Sequence, residues 1–264
     1  MSWNLITIAA FELRRYLYSS KIVLLFLVST IPTLLYLQFA AREALALSAL
    51  EEVAIPVYIL GILVYFSHFI GTLVAILVVS DIVAGERSLE ILLTSSTSRS
   101  IILGGKTLAA FLIVMMTVII CFFSSYIVFI TFTDLPSFEW QLRAFILTVA
   151  LILFPLALSL LFSVIALLVK DLSPSTAVYV PLFVFFVIPF IIWTSVILRF
   201  FQFGITDYSY LGWVDDILSF EFQLSQVHAT RQQYELAIAV VSSLTVACFL
   251  LALLLFYRVE GLIH

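Results

Sequence analysis

Long apolar runs separated by short polar breaks set the pattern of this chain. Six runs stand out, at about 22–41, 56–80, 107–132, 144–169, 173–198 and 236–257. Each holds the roughly 20 residues that an α-helix needs to cross the hydrocarbon core of a bilayer. No Asp, Glu, Lys or Arg falls inside any run, and the second carries His68. Lipid offers no partner to backbone N–H and C=O groups, so the six runs are predicted as transmembrane helices. Ahead of the first run, Trp3, Ile6, Ala10, Leu13 and Leu17 recur at helical spacing, while Glu12, Arg14 and Arg15 fall off that face. That spacing predicts an interfacial helix over 1–20, lying along the headgroups with its apolar stripe down. Pro32, Pro155, Pro181 and Pro189 lie within runs, and each is expected to bend its helix by removing an intrahelical hydrogen bond.

Composition narrows the class. The chain has 264 residues, 64% hydrophobic and 11% charged, against about 25% charged in a soluble domain. Six spans and their connections use nearly the whole length, so residues 1–264 are expected to form a single all-α transmembrane domain. The sizeable polar stretch at 199–235 interleaves Phe200, Tyr208, Trp213 and Phe220 with Asp207, Asp215, Asp216 and Glu221. Aromatic rings mixed with acids suit a segment half-buried at the outer interface. Placing the N-terminus inside puts Arg14, Arg15, Lys21, Arg87, Arg99, Lys106, Lys170 and Arg258 on one side, and Arg42, Arg143, Arg199 and Arg231 on the other. Eight against four of the twelve basic residues predicts both termini in the cytoplasm of a multi-pass protein of the cell membrane. The first run follows Arg14, Arg15 and Lys21 and is too long for the apolar core of a signal peptide.

Candidate chemistry is sparse. Ion-coupled carriers and pumps keep ionisable residues inside their spans, and these runs lack them. His68 is an isolated histidine near the middle of the second run, too little for a metal site or for the nucleophile and base of a hydrolase. It is expected to line a pathway, meet a subunit interface, or make a structural hydrogen bond. Cys121 and Cys248 fall inside runs and are read as small apolar residues. The stretch Ser100 to Thr107, with Gly104-Gly105-Lys106, looks like the end of a phosphate-binding loop. It lacks the first glycine and any preceding strand, so the chain is not expected to bind or hydrolyse ATP. No catalytic residue, cofactor, metal or nucleic-acid site is expected in it.

The polar insert from Asp81 to Lys106 is the informative exception. Leu89, Leu92 and Leu93 share one face of a short helix, leaving Glu86, Arg87 and Glu90 to reach water or a partner. Residues 94–98 are all Ser or Thr, a natural break. Lys106 is expected to anchor the third span at the inner headgroups. The segment Leu89-Glu90-Ile91-Leu92-Leu93, followed by Ser98-Arg99 and Gly105-Lys106, resembles the coupling region of permease subunits of type-2 ATP-binding-cassette (ABC) exporters. Arg87-Ser88 stands where that family usually has Gly-Thr, and Ser96 where it usually has Pro. The resemblance implies a cytoplasmic coupling helix over 86–99 between spans two and three, with Glu86, Arg87, Leu89, Glu90, Leu92, Leu93 and Arg99 meeting an ATPase. It further implies short extracellular or re-entrant helices in 199–235, two cytoplasmic ATPase subunits holding ATP and Mg, and a second permease copy or a paralogue completing the pathway. A membrane anchor that recruits a cytoplasmic partner is the alternative, and an intramembrane hydrolase built on His68 a more distant one.

Overall fold

The computed structural model describes residues 4–48, 55–83, 98–132, 135–168, 176–187, 210–222 and 230–261. Among these, regular structure is helical throughout: α1 (Leu5–Leu17), α2 (Lys21–Ser48), α3 (Ile55–Val83), α4 (Arg99–Phe132), α5 (Phe138–Leu168), α6 (Thr176–Leu182), α7 (Tyr210–Phe222) and α8 (Arg231–Gly261). A π-helical segment, Phe183–Val187, continues α6 just after Pro181. Five helices contain stretches long and apolar enough to cross a membrane: Lys21–Phe39, Ile59–Val83, Ser100–Thr131, Phe138–Leu167 and Arg231–Tyr257. These correspond to five of the six predicted runs. The remaining run, 173–198, is described only as α6 and its π continuation, and its later part lies outside the described residues.

Local sequence accounts for several helix starts. The Asn4 side chain accepts a hydrogen bond from the Thr7 N–H at 2.8 Å and caps α1. Thr230 and Gln233 form a reciprocal capping box at the head of α8, with the Thr230 N–H reaching Gln233 Oε1 at 2.7 Å and the Gln233 N–H reaching Thr230 Oγ1 at 3.3 Å. α2 and α5 run through Pro32 and Pro155 as helix.

α3 is the axis of the molecule. It is apolar all round, as a centrally buried helix should be, and packs against α2, α4, α5, α6 and α7. Two-thirds of its span (67%) is buried, against 22% for α2 and 17% for α8, which therefore form the perimeter. The core divides into two clusters along the bundle. One gathers Leu37, Leu60, Leu63, Phe129, Phe154, Val214 and Phe222; the other gathers Ala9, Val74, Val78, Leu103, Ile113, Leu160 and Phe256. Gly71 lets α3 approach α5 closely, since a Cβ there would lie 2.3 Å from Ile152 Cδ1.

Many hydroxyls in the spans bond back to their own helix. Ser29 donates to the Leu25 carbonyl at 2.7 Å, Ser67 to Leu63 at 2.6 Å, Thr117 to Ile113 at 3.1 Å, Thr148 to Ala144 at 2.8 Å and Ser163 to Ser159 at 2.7 Å. Each bond stays inside its own helix, four residues back. This is the usual way a hydroxyl is satisfied mid-helix.

Candidate functional site

Glu86, Arg87, Leu89, Glu90, Leu92 and Leu93 lie outside the described residues. Arg99 is the first residue of α4. His68 sits on the axial helix α3 and is buried, at 3% exposure. Its neighbour Ser67 bonds back to Leu63 and Val64 of its own helix.

The first turns of α4 are clasped by α1. Gly105 leaves room for the α1 backbone: a Cβ there would lie 2.7 Å from Ile8 Cβ and 2.9 Å from the Leu5 carbonyl oxygen. One residue on, the ammonium of Lys106 lies 3.4 Å from Glu12 Oε1, with side-chain exposures of 2% and 1%. It also donates to the Ile82 carbonyl at the end of α3. Glu12 is held on its other oxygen by Arg15 at 3.1 Å. One lysine thus ties α1, α3 and α4 together at one end of the bundle.

One sequence expectation is corrected here: Lys106 does not snorkel to headgroups but is buried against Glu12. Glu12, off the apolar stripe of α1, is buried with Ile8 and Ala9. Of the predicted stripe, Ile6 is 72% exposed, whereas Leu13 packs against the core beside Ala9. Periodicity alone does not tell which side of α1 meets the protein. The signal for the protein-facing side was the Gly104-Gly105 pair, since small residues let helices approach within a membrane.

A second ion pair stands at the same end. Lys21, opening α2, donates to Asp81 Oδ2 near the end of α3 at 2.6 Å. The Tyr16 phenol nearby has its pKa raised, first by burial and then by the Asp81 carboxylate. Both Asp81 and Lys106 belong to helices that run past the apolar runs, because a paired charge at a helix end is no barrier to extending the helix.

The opposite end has its own knot. Glu221 on α7 accepts from the Tyr234 hydroxyl of α8 at 2.7 Å and pairs with Arg143 of α5 at 3.3 Å. The Arg143 guanidinium also stacks over Trp140 at 5.3 Å, and Phe220 stacks on Tyr234 at 4.4 Å. Val214, Ile217, Leu218 and Phe222 turn the other face of α7 into the core. The short helix expected within 199–235 is therefore present and half-buried, while residues 199–209 and 223–229 lie outside the described residues. Glu221→Ala should leave the Tyr234 hydroxyl without its acceptor and cost about 1–3 kcal/mol. Thermal unfolding in detergent checks this, and an unchanged midpoint would mean that α7 is held by its apolar face alone.

No protein-family model matches the chain, and no curated protein is significantly similar to it.

Proposed function

We propose that the chain is the membrane-spanning permease subunit of an ABC exporter, supplying half of a translocation pathway and no catalysis of its own. The observation that carries this reading is the run from Leu89 to Lys106, with its Leu-Glu-x-Leu-Leu, Ser-Arg and Gly-Lys elements, leading directly into α4. The five apolar helices and the helix α1 packed against α4 suit the same role. In this reading the end of the bundle holding Lys21, Glu12 and Lys106 faces the cytoplasm of a cell membrane, both termini lie there, and a sixth span runs through 173–198.

The work expected of the coupling residues is mechanical. Two cytoplasmic ATPase subunits, holding ATP and Mg, close on each other and push on 86–99 through Glu86, Arg87, Leu89, Glu90, Leu92, Leu93 and Arg99. Force entering at Arg99 passes into α4. Because Lys106 grips Glu12 and the Ile82 carbonyl, α1 and the end of α3 move with it. A second permease copy or a paralogue supplies the other wall of the pathway, and His68 stands on the helix that would face it or support it.

Co-expression with a cytoplasmic ABC ATPase, purification in detergent and measurement of ATP turnover test the proposal. Glu90→Lys should lower the amount of ATPase that co-purifies while leaving membrane insertion unchanged. A chain that binds no ATPase, or binds one with no dependence on 86–99, would overturn the permease reading in favour of a membrane anchor.

A further inference from the structure

A groove of about 360 Å³ runs between α2 and α3 and ends beneath α1, within the size range of small-molecule sites. Its walls are apolar, built by Leu24, Leu25 and Val28 of α2 and by Leu73 and Leu77 of α3. Leu24 and Leu77 are 63% and 47% exposed, so the groove opens sideways, toward the acyl chains of a surrounding bilayer. Its polar end is formed by Tyr16, Lys21 and Asp81. Lys21 begins the apolar stretch of α2 and Asp81 lies two residues before the end of that of α3, which sets both at headgroup level.

The polar end is zwitterionic and half open. Lys21 and Asp81 are paired at 2.6 Å with side-chain exposures of 53% and 39%. An ammonium has three donors and a carboxylate two oxygens, and the pair uses one donor and Oδ2. Two donors and Oδ1 are left to turn outward. A phosphodiester would accept from Lys21, and a primary ammonium a few bonds away would donate to Asp81. The resulting ring alternates in charge around four groups. A choline headgroup carries no N–H to complete it, and an anionic headgroup without an amine would bring its charge toward Asp81 with nothing to offset it.

We infer that this groove holds one aminophospholipid of the bilayer, its acyl chain between α2 and α3 and its phosphate and amine on Lys21 and Asp81. The inference rests on the membrane-spanning helices alone and does not depend on the ABC reading. Charge complementarity selects the occupant. A site with an apolar trough and a paired zwitterion at one end matches a molecule with a tail and a zwitterionic head.

The full chain, purified and placed in lipid nanodiscs of phosphatidylcholine doped with either phosphatidylethanolamine or phosphatidylglycerol, is released into native mass spectrometry and its retained lipids are counted. One phosphatidylethanolamine should be retained over phosphatidylcholine by about tenfold, the effect of one charge-assisted hydrogen bond. The double variant Lys21→Met/Asp81→Asn should lose that preference. Leu77→Trp, which fills the open side without touching the pair, should lower retention on its own and guards against a double variant that fails to fold. Equal retention of the ethanolamine and choline lipids by the parent chain would overturn the inference. So would preference for phosphatidylglycerol, or a phosphatidylethanolamine preference that survives in both variants.

Discussion

Glu12→Ala destabilises the chain by about 3–5 kcal/mol, the range for stripping one partner from a buried ion pair. Lys106 is 2% exposed and Glu12 is its ion-pair partner at 3.4 Å; the change removes that carboxylate while the ammonium stays buried against the Ile82 carbonyl. The reverse change should be milder. After Lys106→Met, Glu12 still has Arg15 at 3.1 Å, and that guanidinium reaches solvent. The double variant Glu12→Leu/Lys106→Met removes both charges and fills their space, so it should recover most of the loss, because buried pairs rarely outperform apolar side chains of similar size. Thermal or denaturant unfolding of all three variants in one detergent gives the ordering. If Glu12→Ala costs no more than Lys106→Met and the double variant recovers none of the loss, the pair does not hold α1 to α4.

Gly105→Ala separates α1 from α4. The added Cβ meets Ile8 Cβ at 2.7 Å, Ile8 Cγ2 at 2.8 Å and the Leu5 carbonyl oxygen at 2.9 Å. Two of these three atoms are fixed to the α1 backbone, so the helix itself must move. The expected cost is about 1–3 kcal/mol, typical of overpacking. Gly71→Ala makes the instructive contrast. Its nominal clash is tighter, at 2.3 Å, but the atom met is Ile152 Cδ1, the tip of a side chain that can change rotamer. The shorter distance should therefore have the smaller effect. The readout is thiol labelling of Ile8→Cys in a background without Cys121 and Cys248. Gly105→Ala should speed labelling about five- to thirtyfold, the change that one to two kcal/mol makes in a local opening equilibrium. Gly71→Ala should leave it near the parent rate, and faster labelling there than in Gly105→Ala would refute the close-approach account.

The bulk of the architecture was legible because lipid imposes a single strong rule, an unbroken apolar run of fixed length. Five of the runs reappear as long helices for that reason. The ends of those helices were not legible. Asp81, Lys106, Arg143 and Arg231 look like stop signs in the sequence. Lys106 and Asp81 are instead absorbed into helices by partners 94 and 60 residues away, Glu12 and Lys21. Pairings between distant residues leave no periodic trace. The same cause hides the burial of Glu12, which the sequence only places off the apolar stripe. α7 was foreseeable as a half-buried piece from its aromatic residues, whereas its fastening through Glu221 depended on Arg143 and Tyr234, on two other helices. Of the candidate site, Arg99 is placed at the start of α4 and His68 is buried on α3.

The way the span hydroxyls are satisfied carries one more consequence. Ser29, Thr117, Thr148 and Ser163 each spend their proton on the preceding turn of the same helix. The interhelical polar contacts described here gather instead at the two rims, around Lys106 and around Glu221. The Cys121 thiol contact with the Ser29 carbonyl, at 3.7 Å, is a weak exception between them. Those hydroxyl bonds therefore place no restraint on how neighbouring helices sit against one another at mid-membrane. Shape does so there, as where Ile152 fills the space that Gly71 leaves, and the ion pairs at the rims decide which helices are fastened to which.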